Sequence, residues 1–282
     1  MNDSVFKIGV MAPGSPIEPA IAEQVADIAA SLDVGARPEI HFHPQCFLLS
    51  GHFAGDDATR CAAFVELAND ESYDAVWFAR GGYGSCRIVD EILPKLSEGA
   101  RNKTYLGYSD VGAILAALYS QGFAHTAHGP MPADISRTDG GMAVERALRY
   151  LIDCDTTALE PAVSPGGKTA AFNVSILSHI LGTPLQPDLT GHILMLEEIS
   201  EYMYRIDRYL FHITSNPGIR KVAGIMLGRC SDIPENDRDF GQTEEQLVEH
   251  WCGISGIPYL GRADIGHDIE NKVVPFGQVP AA

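Results

Sequence analysis

The 282-residue sequence predicts an α/β protein: an N-terminal parallel-sheet domain of Rossmann-like or flavodoxin-like type, then a smaller C-terminal α/β domain. Three observations carry that expectation. Short apolar runs alternate with segments of helical periodicity through the first half of the chain, the rhythm of βαβ units. One run, Ala75 to Ala79 (Ala-Val-Trp-Phe-Ala), is apolar without a break, as a strand buried on both faces requires. A stretch near the middle, Asp153 to Lys168, interrupts the pattern with Pro161, Pro165, Gly166 and Gly167.

The elements follow in order. Lys7 to Ala12 reads as the first strand, closed by the turn Pro13-Gly14-Ser15-Pro16. Glu18 to Leu32 places Ile21, Val25, Ile28, Ala29 and Leu32 at helical spacing. Glu39 to His43 is a second strand, and Asp56 to Asn69 a helix through Ala62, Phe64 and Leu67. After Ala75 to Ala79 come the glycine turn Arg80-Gly81-Gly82-Tyr83-Gly84 and a helix from Cys86 to Leu93, stopped by Pro94. Tyr105 to Tyr108 is a strand, and Asp110 to Gln121 the helix after it. Residues 1–153 are thus expected to form the N-terminal domain, 154–168 a linker and 169–282 the C-terminal domain. The second half is less regular, with helices near Val174 to Leu181 and Met203 to Thr214, and strands at Ile193 to Leu196 and Gly224 to Leu227.

A hydrophobic share of 45% beside 20% charged residues is that of a folded globular protein. With 37 acidic and 20 basic residues the formal net charge is −17. Such a surface repels phosphate backbones and anionic bilayers, so neither a nucleic-acid nor a membrane partner is expected. No stretch reaches the roughly 18 uninterrupted apolar residues of a membrane helix. The N-terminus has no basic segment, and its apolar stretch breaks at Pro13-Gly14. It reads as a first strand and not as a secretory signal, which makes a cytoplasmic location the expectation. The cysteines at 46, 61, 86, 154, 230 and 252 form no CxxC pair and read as reduced thiols.

In a parallel sheet, functional loops gather at the carboxyl ends of the strands. The turns Pro13-Gly14-Ser15-Pro16, Arg80-Gly81-Gly82-Tyr83-Gly84 and Tyr108-Ser109-Asp110 therefore share one edge. Ser109 sits where a strand turns into a helix, which lifts its hydroxyl off the sheet and aims unpaired helix N–H groups at it. Two readings stand at this point: a nucleophile, or a serine that caps the helix. The glycine turn matches neither GxxxxGK(S/T) nor GxGxxG, so it is either a ligand-approaching turn or an ordinary tight one.

A base has to come from elsewhere. His41 and His43 alternate on one strand without a third ligand, so no metal site is expected. His125 and His128 flank a strand end, and His267 lies in Gly266-His267-Asp268; each is a candidate base or a packed structural histidine. Glu197 and Glu198 follow the apolar run Ile193-Leu194-Met195-Leu196, where an orienting carboxylate or a solvated acidic pair fits equally.

Taken together, these segments resemble the LD-carboxypeptidase family (muramoyltetrapeptide carboxypeptidases), serine peptidases with a Ser-Glu-His triad; the microcin C immunity proteins are relatives. The resemblance runs through Ala12-Pro13-Gly14-Ser15, Ala79-Arg80-Gly81-Gly82-Tyr83-Gly84, Gly107-Tyr108-Ser109-Asp110 and His128-Gly129-Pro130-Met131. It continues in Leu181-Gly182-Thr183-Pro184, Leu196-Glu197-Glu198, Tyr204-Arg205-Ile206-Asp207-Arg208 and Asp264-Ile265-Gly266-His267. It implies Ser109 as nucleophile, Glu197 as triad carboxylate, His267 as general base, and the backbone N–H groups of Gly82 and Asp110 as oxyanion donors. It further implies release of D-alanine from murein tetrapeptides in cell-wall recycling, no metal or cofactor, and a homodimer. Arg80, Tyr83 and Asn173 are expected against the substrate.

Three departures from the family pattern stand out. Ala171-Phe172-Asn173 replaces a common Gly-Gly-Asn, Leu196-Glu197-Glu198 replaces Leu-Glu-Asp, and the chain stops soon after Val274-Pro275-Phe276-Gly277. Two alternatives stay open: a hydrolase of peptide-nucleotide toxins with the same triad, and a silent binding protein on the same fold.

Overall fold

Five parallel strands make up the body of the six-stranded first sheet of the computed structural model, which describes residues 4–278. They are β1 (Val5–Met11), β2 (Arg37–Phe42), β3 (Ala75–Phe78), β4 (Thr104–Gly107) and β5 (Thr126–His128). Their spatial order is 2-1-3-4-5, a doubly wound arrangement whose direction of winding reverses between β1 and β3. That reversal opens a crevice at the carboxyl ends, where ligands of open α/β sheets bind.

Helices cover both faces. α1 (Pro19–Ser31) and α5 (Gly141–Asp153) pack together on one side. There Ile21, Val25 and Ala29 join Val144, Ala147, Leu148 and Leu151 in one apolar cluster. α2 (Asp57–Asn69), α3 (Ser85–Ile92) and α4 (Gly112–Ser120) line the other side through Phe64, Leu67, Ile88, Val89 and Ile114. All four residues of β3 are fully buried, as the unbroken apolar run required. α5, not expected from the sequence, buries Ala143, Val144, Ala147, Leu148 and Leu151 at helical spacing.

The second sheet has β6 (Lys168–Asn173), β7 (Ile193–Ile199), β8 (Gly224–Ser231) and β9 (Tyr259–Arg262) in parallel. α6 (Val174–Ile180), α7 (Met203–Ser215) and α8 (Glu244–Ser255) pack in succession beside it. α8 starts on a reciprocal capping box between Thr243 and Gln246 and ends on Gly256 in the left-handed conformation.

The C-terminal segment joins the two sheets. β10 (Val274–Pro275) pairs antiparallel with β5, and β11 (Gly277–Gln278) pairs antiparallel with β6. The connector after α5 also runs beside this segment, with mutual backbone bonds among Ala158, Glu160 and Val273. β7 is longer than its apolar run: Glu197 and Glu198 lie within the strand, with a register irregularity against β8 between Leu196 and Glu198. Buried carboxylates interrupt the hydrophobic signal without interrupting the backbone ladder.

Candidate active site

The chain's only non-glycine left-handed residue at the end of a sheet-1 strand is Ser109, at φ 62° among the described residues. β4 ends at Gly107, Tyr108 is extended, and Ser109 to Val111 make a single 3₁₀ turn before α4. A side chain in this conformation is strained by about 1 kcal/mol or more and persists where surrounding contacts enforce it. The turn reads as a nucleophile elbow more than as a simple cap: Tyr108 stands at the N-cap position, and no side chain caps the turn.

The glycine turn presses against this elbow. A Cβ on Gly81 would lie 2.9 Å from Ser109 Cβ and 3.0 Å from its Oγ. Gly82 has φ 93°, and a Cβ there would meet the Ser15 hydroxyl. Only glycine fits either place. Among the described residues the N–H groups of Gly82 and Asp110 donate no hydrogen bond. The Asp110 carboxylate is buried and accepts from Ser85 N–H at 2.8 Å, tying the elbow to the start of α3. Burial raises its pKa despite that bond.

Arg60, fully buried in α2, holds the neighbouring turns together. Its Nη1 donates to the carbonyls of Pro13 and Gly84, its Nη2 to Asp57, and its guanidinium sits 4.7 Å above the Phe53 ring. In sequence Arg60 looks like one more solvated helix cation. Nothing local marks it as internal.

His267 and Glu197 meet across the second sheet. His267 Nδ1 lies 2.5 Å from Glu197 Oε2, with the carboxylate fully buried and the imidazole 8% exposed. Burial pulls the His267 pKa down, but the Glu197 carboxylate and its hydrogen bond outweigh burial, so the net value lies above the ordinary 6.5. Glu198 points to a different set of partners: Asn173 Nδ2 at 2.7 Å, Ser175 N–H and Ile199 N–H. Burial, then the charge of Glu197, pushes its pKa up to about 7.

The loop that carries His267 is fixed on both sides. Arg229 donates to Asp264 at 2.6 Å and to both oxygens of Asp268. Asn271 Oδ1 accepts from Gly266 N–H and faces His128 Nε2, each at 3.2 Å. Through this bridge β5 of the first sheet positions the histidine loop of the second.

Ser109 and His267 line one cleft of about 480 Å³ with Arg80, Gly81, Gly82, Tyr108, Met131, Asp134 and Arg137. The Tyr108 ring packs 4.8 Å from His267, and its hydroxyl donates to Asp134 at 2.7 Å. Among the described residues Ser109 Oγ makes no hydrogen bond, so the His–Glu leg of the constellation is closed and the Ser–His leg open. Catalytic hydrogen bonds of unliganded sites often close only with substrate.

Other sequence candidates fall elsewhere. His128 is buried, with burial pushing its pKa down to about 4, so it stays neutral as a structural partner of Asn271. His125 precedes β5, at the end of the sheet opposite the cleft. His41 and His43 sit on and after edge strand β2, and no group of three His, Cys, Asp or Glu side chains among the described residues is placed to hold a metal. Arg80 lines the cleft but is exposed, touching only the Pro16 carbonyl at 3.5 Å. Tyr83 is 49% exposed and leans on His52 and Phe53 away from the cleft lining. Asn173 is buried as the cap of α6, its amide spent on Ile176, Ser175 and Glu198. It supports the acidic pair and does not line the cleft.

A doubly wound sheet carries a strained serine at a strand end, and the serine shares one cleft with the histidine of a buried His–Glu pair. The chain belongs to the LD-carboxypeptidase family and is a carboxypeptidase: it matches the LD-carboxypeptidase N-terminal domain over residues 8–129 and the LD-carboxypeptidase C-terminal domain over 166–280. It is 29% identical to a probable murein peptide carboxypeptidase of Bacillus subtilis (strain 168), over 96% of this chain and 86% of that one. The muramoyltetrapeptide carboxypeptidase of Oxalobacter formigenes shares its fold at TM-score 0.78 and 24% identity, covering 96% and 92% of the two chains. Microcin C7 self immunity protein MccF shares the fold at TM-score 0.77 and 17% identity, covering 96% and 91%.

The crowding at Gly81 yields a direct expectation. Gly81→Ala forces its methyl against Ser109 and should lower peptidase kcat/KM by about 100-fold or more, comparable to losing one oxyanion donor. Circular-dichroism melts should show a far smaller effect, since the clash sits on the cleft wall.

Proposed function

We propose that this chain is a serine carboxypeptidase that hydrolyses the L,D bond before the terminal D-alanine of murein tetrapeptides, in cytoplasmic cell-wall recycling. The observation that carries the reading is His267, which is paired with the buried Glu197 and lines one cleft with the strained Ser109 and with Gly82. His267 takes the proton from Ser109 Oγ as that oxygen attacks the carbonyl of the diamino-acid residue. The N–H groups of Gly82 and Asp110 receive the oxyanion. Collapse expels D-alanine, whose amine takes the proton from His267 Nε2. Water, deprotonated by the same nitrogen, then cleaves the acyl-serine ester and regenerates the hydroxyl. Glu197 holds the Nδ1–H tautomer and offsets the positive charge on the ring. The same reading takes the enzyme to act as a homodimer.

A peptide-nucleotide substrate would call for an aromatic face in the cleft on which a base could stack. The aromatic rings lining the cleft are Tyr108 and His267, which pack on each other. The murein reading is therefore preferred. Incubation with L-Ala-γ-D-Glu-meso-diaminopimelate-D-Ala should release D-alanine; intact peptide after prolonged incubation would refute the substrate.

The raised pKa of His267 fixes the sign of a pH effect. Only the neutral imidazole accepts the serine proton, and a raised pKa keeps it protonated to higher pH. The acid limb of kcat/KM should therefore have its midpoint above 6.5, and Glu197→Gln should move that midpoint down. An unmoved limb would assign the titration to another group.

A further inference from the structure

We propose that Arg137 is the receptor for the free C-terminal carboxylate of the substrate, and so restricts the site to the last residue of a peptide. The proposal rests on reading the cleft as a peptidase site. A hydrolase that removes one residue must recognise the negative charge a single residue beyond the scissile carbonyl. A chain of net charge −17 needs a dedicated cation for that task.

The cleft lining holds two cations, Arg80 and Arg137. Arg137 follows the turn after β5, with its side chain 36% exposed. Its Nε donates to Asp134 Oδ1 at 3.1 Å. Asp134 is itself buried and immobilised, accepting from Tyr108 Oη at 2.7 Å and from Met131 N–H at 2.8 Å. One edge of the guanidinium is thereby locked, with the Tyr108 hydroxyl beside it.

Its Nη1 and Nη2 donate no hydrogen bond within the chain among the described residues. Other arginines of similar burial behave differently. Arg146 spends Nη1 on the carbonyls of Ile269 and Asn271, and Arg229 spends its guanidinium on Asp264 and Asp268. A pre-oriented guanidinium with two free terminal nitrogens, on the wall of a cleft that also holds a nucleophile, is built for bidentate binding of a planar carboxylate. Asp134 offsets part of the Arg137 charge, and Arg80 on the same cleft supplies a second positive charge toward an anionic ligand. Because Tyr108 donates its hydroxyl to the Asp134 tether and packs its ring on His267, the carboxylate receptor and the general base share one support.

The test uses the full chain with Ser109→Ala to stop turnover, and calorimetric titration of L-Ala-γ-D-Glu-meso-diaminopimelate-D-Ala and its C-terminal carboxamide. The free acid should bind about 10- to 100-fold more tightly than the amide, the range of charge-assisted hydrogen bonds. Adding Arg137→Ala should bring that ratio close to one, and Arg137→Lys should leave it intermediate, because charge remains without the fork. Thermal melts establish that each variant is folded. The proposal is overturned if the acid shows no advantage, if the ratio survives Arg137→Ala, or if Arg80→Ala abolishes it while Arg137→Ala does not. D-alanine release by the unmutated chain is measured alongside. An Arg137-dependent acid preference without release supports the receptor and refutes the murein substrate.

Discussion

Ser109→Ala should abolish release of D-alanine, lowering kcat by about 10⁵- to 10⁶-fold, the scale seen when a triad nucleophile is removed. The size of the expected loss follows from the local geometry. Ser109 is held in a strained conformation at the end of β4, wedged against Gly81, with its hydroxyl free of other hydrogen bonds. A hydroxyl that served as a helix cap would be donating to or accepting from the next turn, and its loss would cost about 1 kcal/mol of stability with little change in rate. The two outcomes are opposite. Alanine should leave the melting temperature within a few degrees, or raise it, because removing a hydroxyl from a strained site seldom weakens a fold. Substrate affinity should persist, since the cleft walls are formed by other residues.

Glu197→Gln ranks second, with an expected loss of about 10³- to 10⁴-fold in kcat/KM, comparable to removing the carboxylate of a triad. The mutation keeps the shape but removes the charge that holds His267 against its own burial penalty. It also offers the imidazole an amide that can present N–H or C=O, which favours the wrong tautomer. One oxygen of Glu197 is buried without a partner, so an amide N–H placed there finds no acceptor among the described residues. A modest stability loss of about 1–3 kcal/mol is therefore expected beside the kinetic one. Steady-state kinetics together with denaturant melts separate the two. A variant that turns over at near the wild-type rate would remove Glu197 from the catalytic assembly.

Much of the first sheet was legible because its chemistry is local. The unbroken apolar run of β3 and the turns after β1, β3 and β4 announced a parallel sheet with one functional edge. The left-handed φ of Ser109 could not be read, since serine is common at helix starts with ordinary extended backbone and nothing in the local sequence marks a positive φ. In the second half the signal weakens. β7 carries two buried glutamates through its end, so a hydrophobic pattern terminates at Leu196 while the strand goes on to Ile199. The antiparallel additions β10 and β11 are two residues each, too short to show a period.

Residues that act through buried polar contacts were the least visible. Arg60 on α2 has the sequence neighbourhood of a solvated cation, and burial against the turns that carry Pro13 and Gly84 turns it into an internal tie. Asn173 shows the converse case. Its place before α6 suggested a substrate contact, but capping a helix and holding Glu198 consumes its amide. Asn271 escapes notice for the same reason, since its bridge between His128 and the histidine loop joins positions 143 residues apart.

Acylation of Ser109 is the step on which the proposed release of a C-terminal D-residue depends. Rapid acid quenching during turnover of L-Ala-γ-D-Glu-meso-diaminopimelate-D-Ala, followed by proteolysis and mass spectrometry, tests it most directly. The peptide containing Ser109 should carry the mass of the tripeptide acyl group, and Ser109→Ala should carry none and release no D-alanine. Release of D-alanine with Ser109 unmodified and its alanine variant still active would exclude Ser109 as the nucleophile.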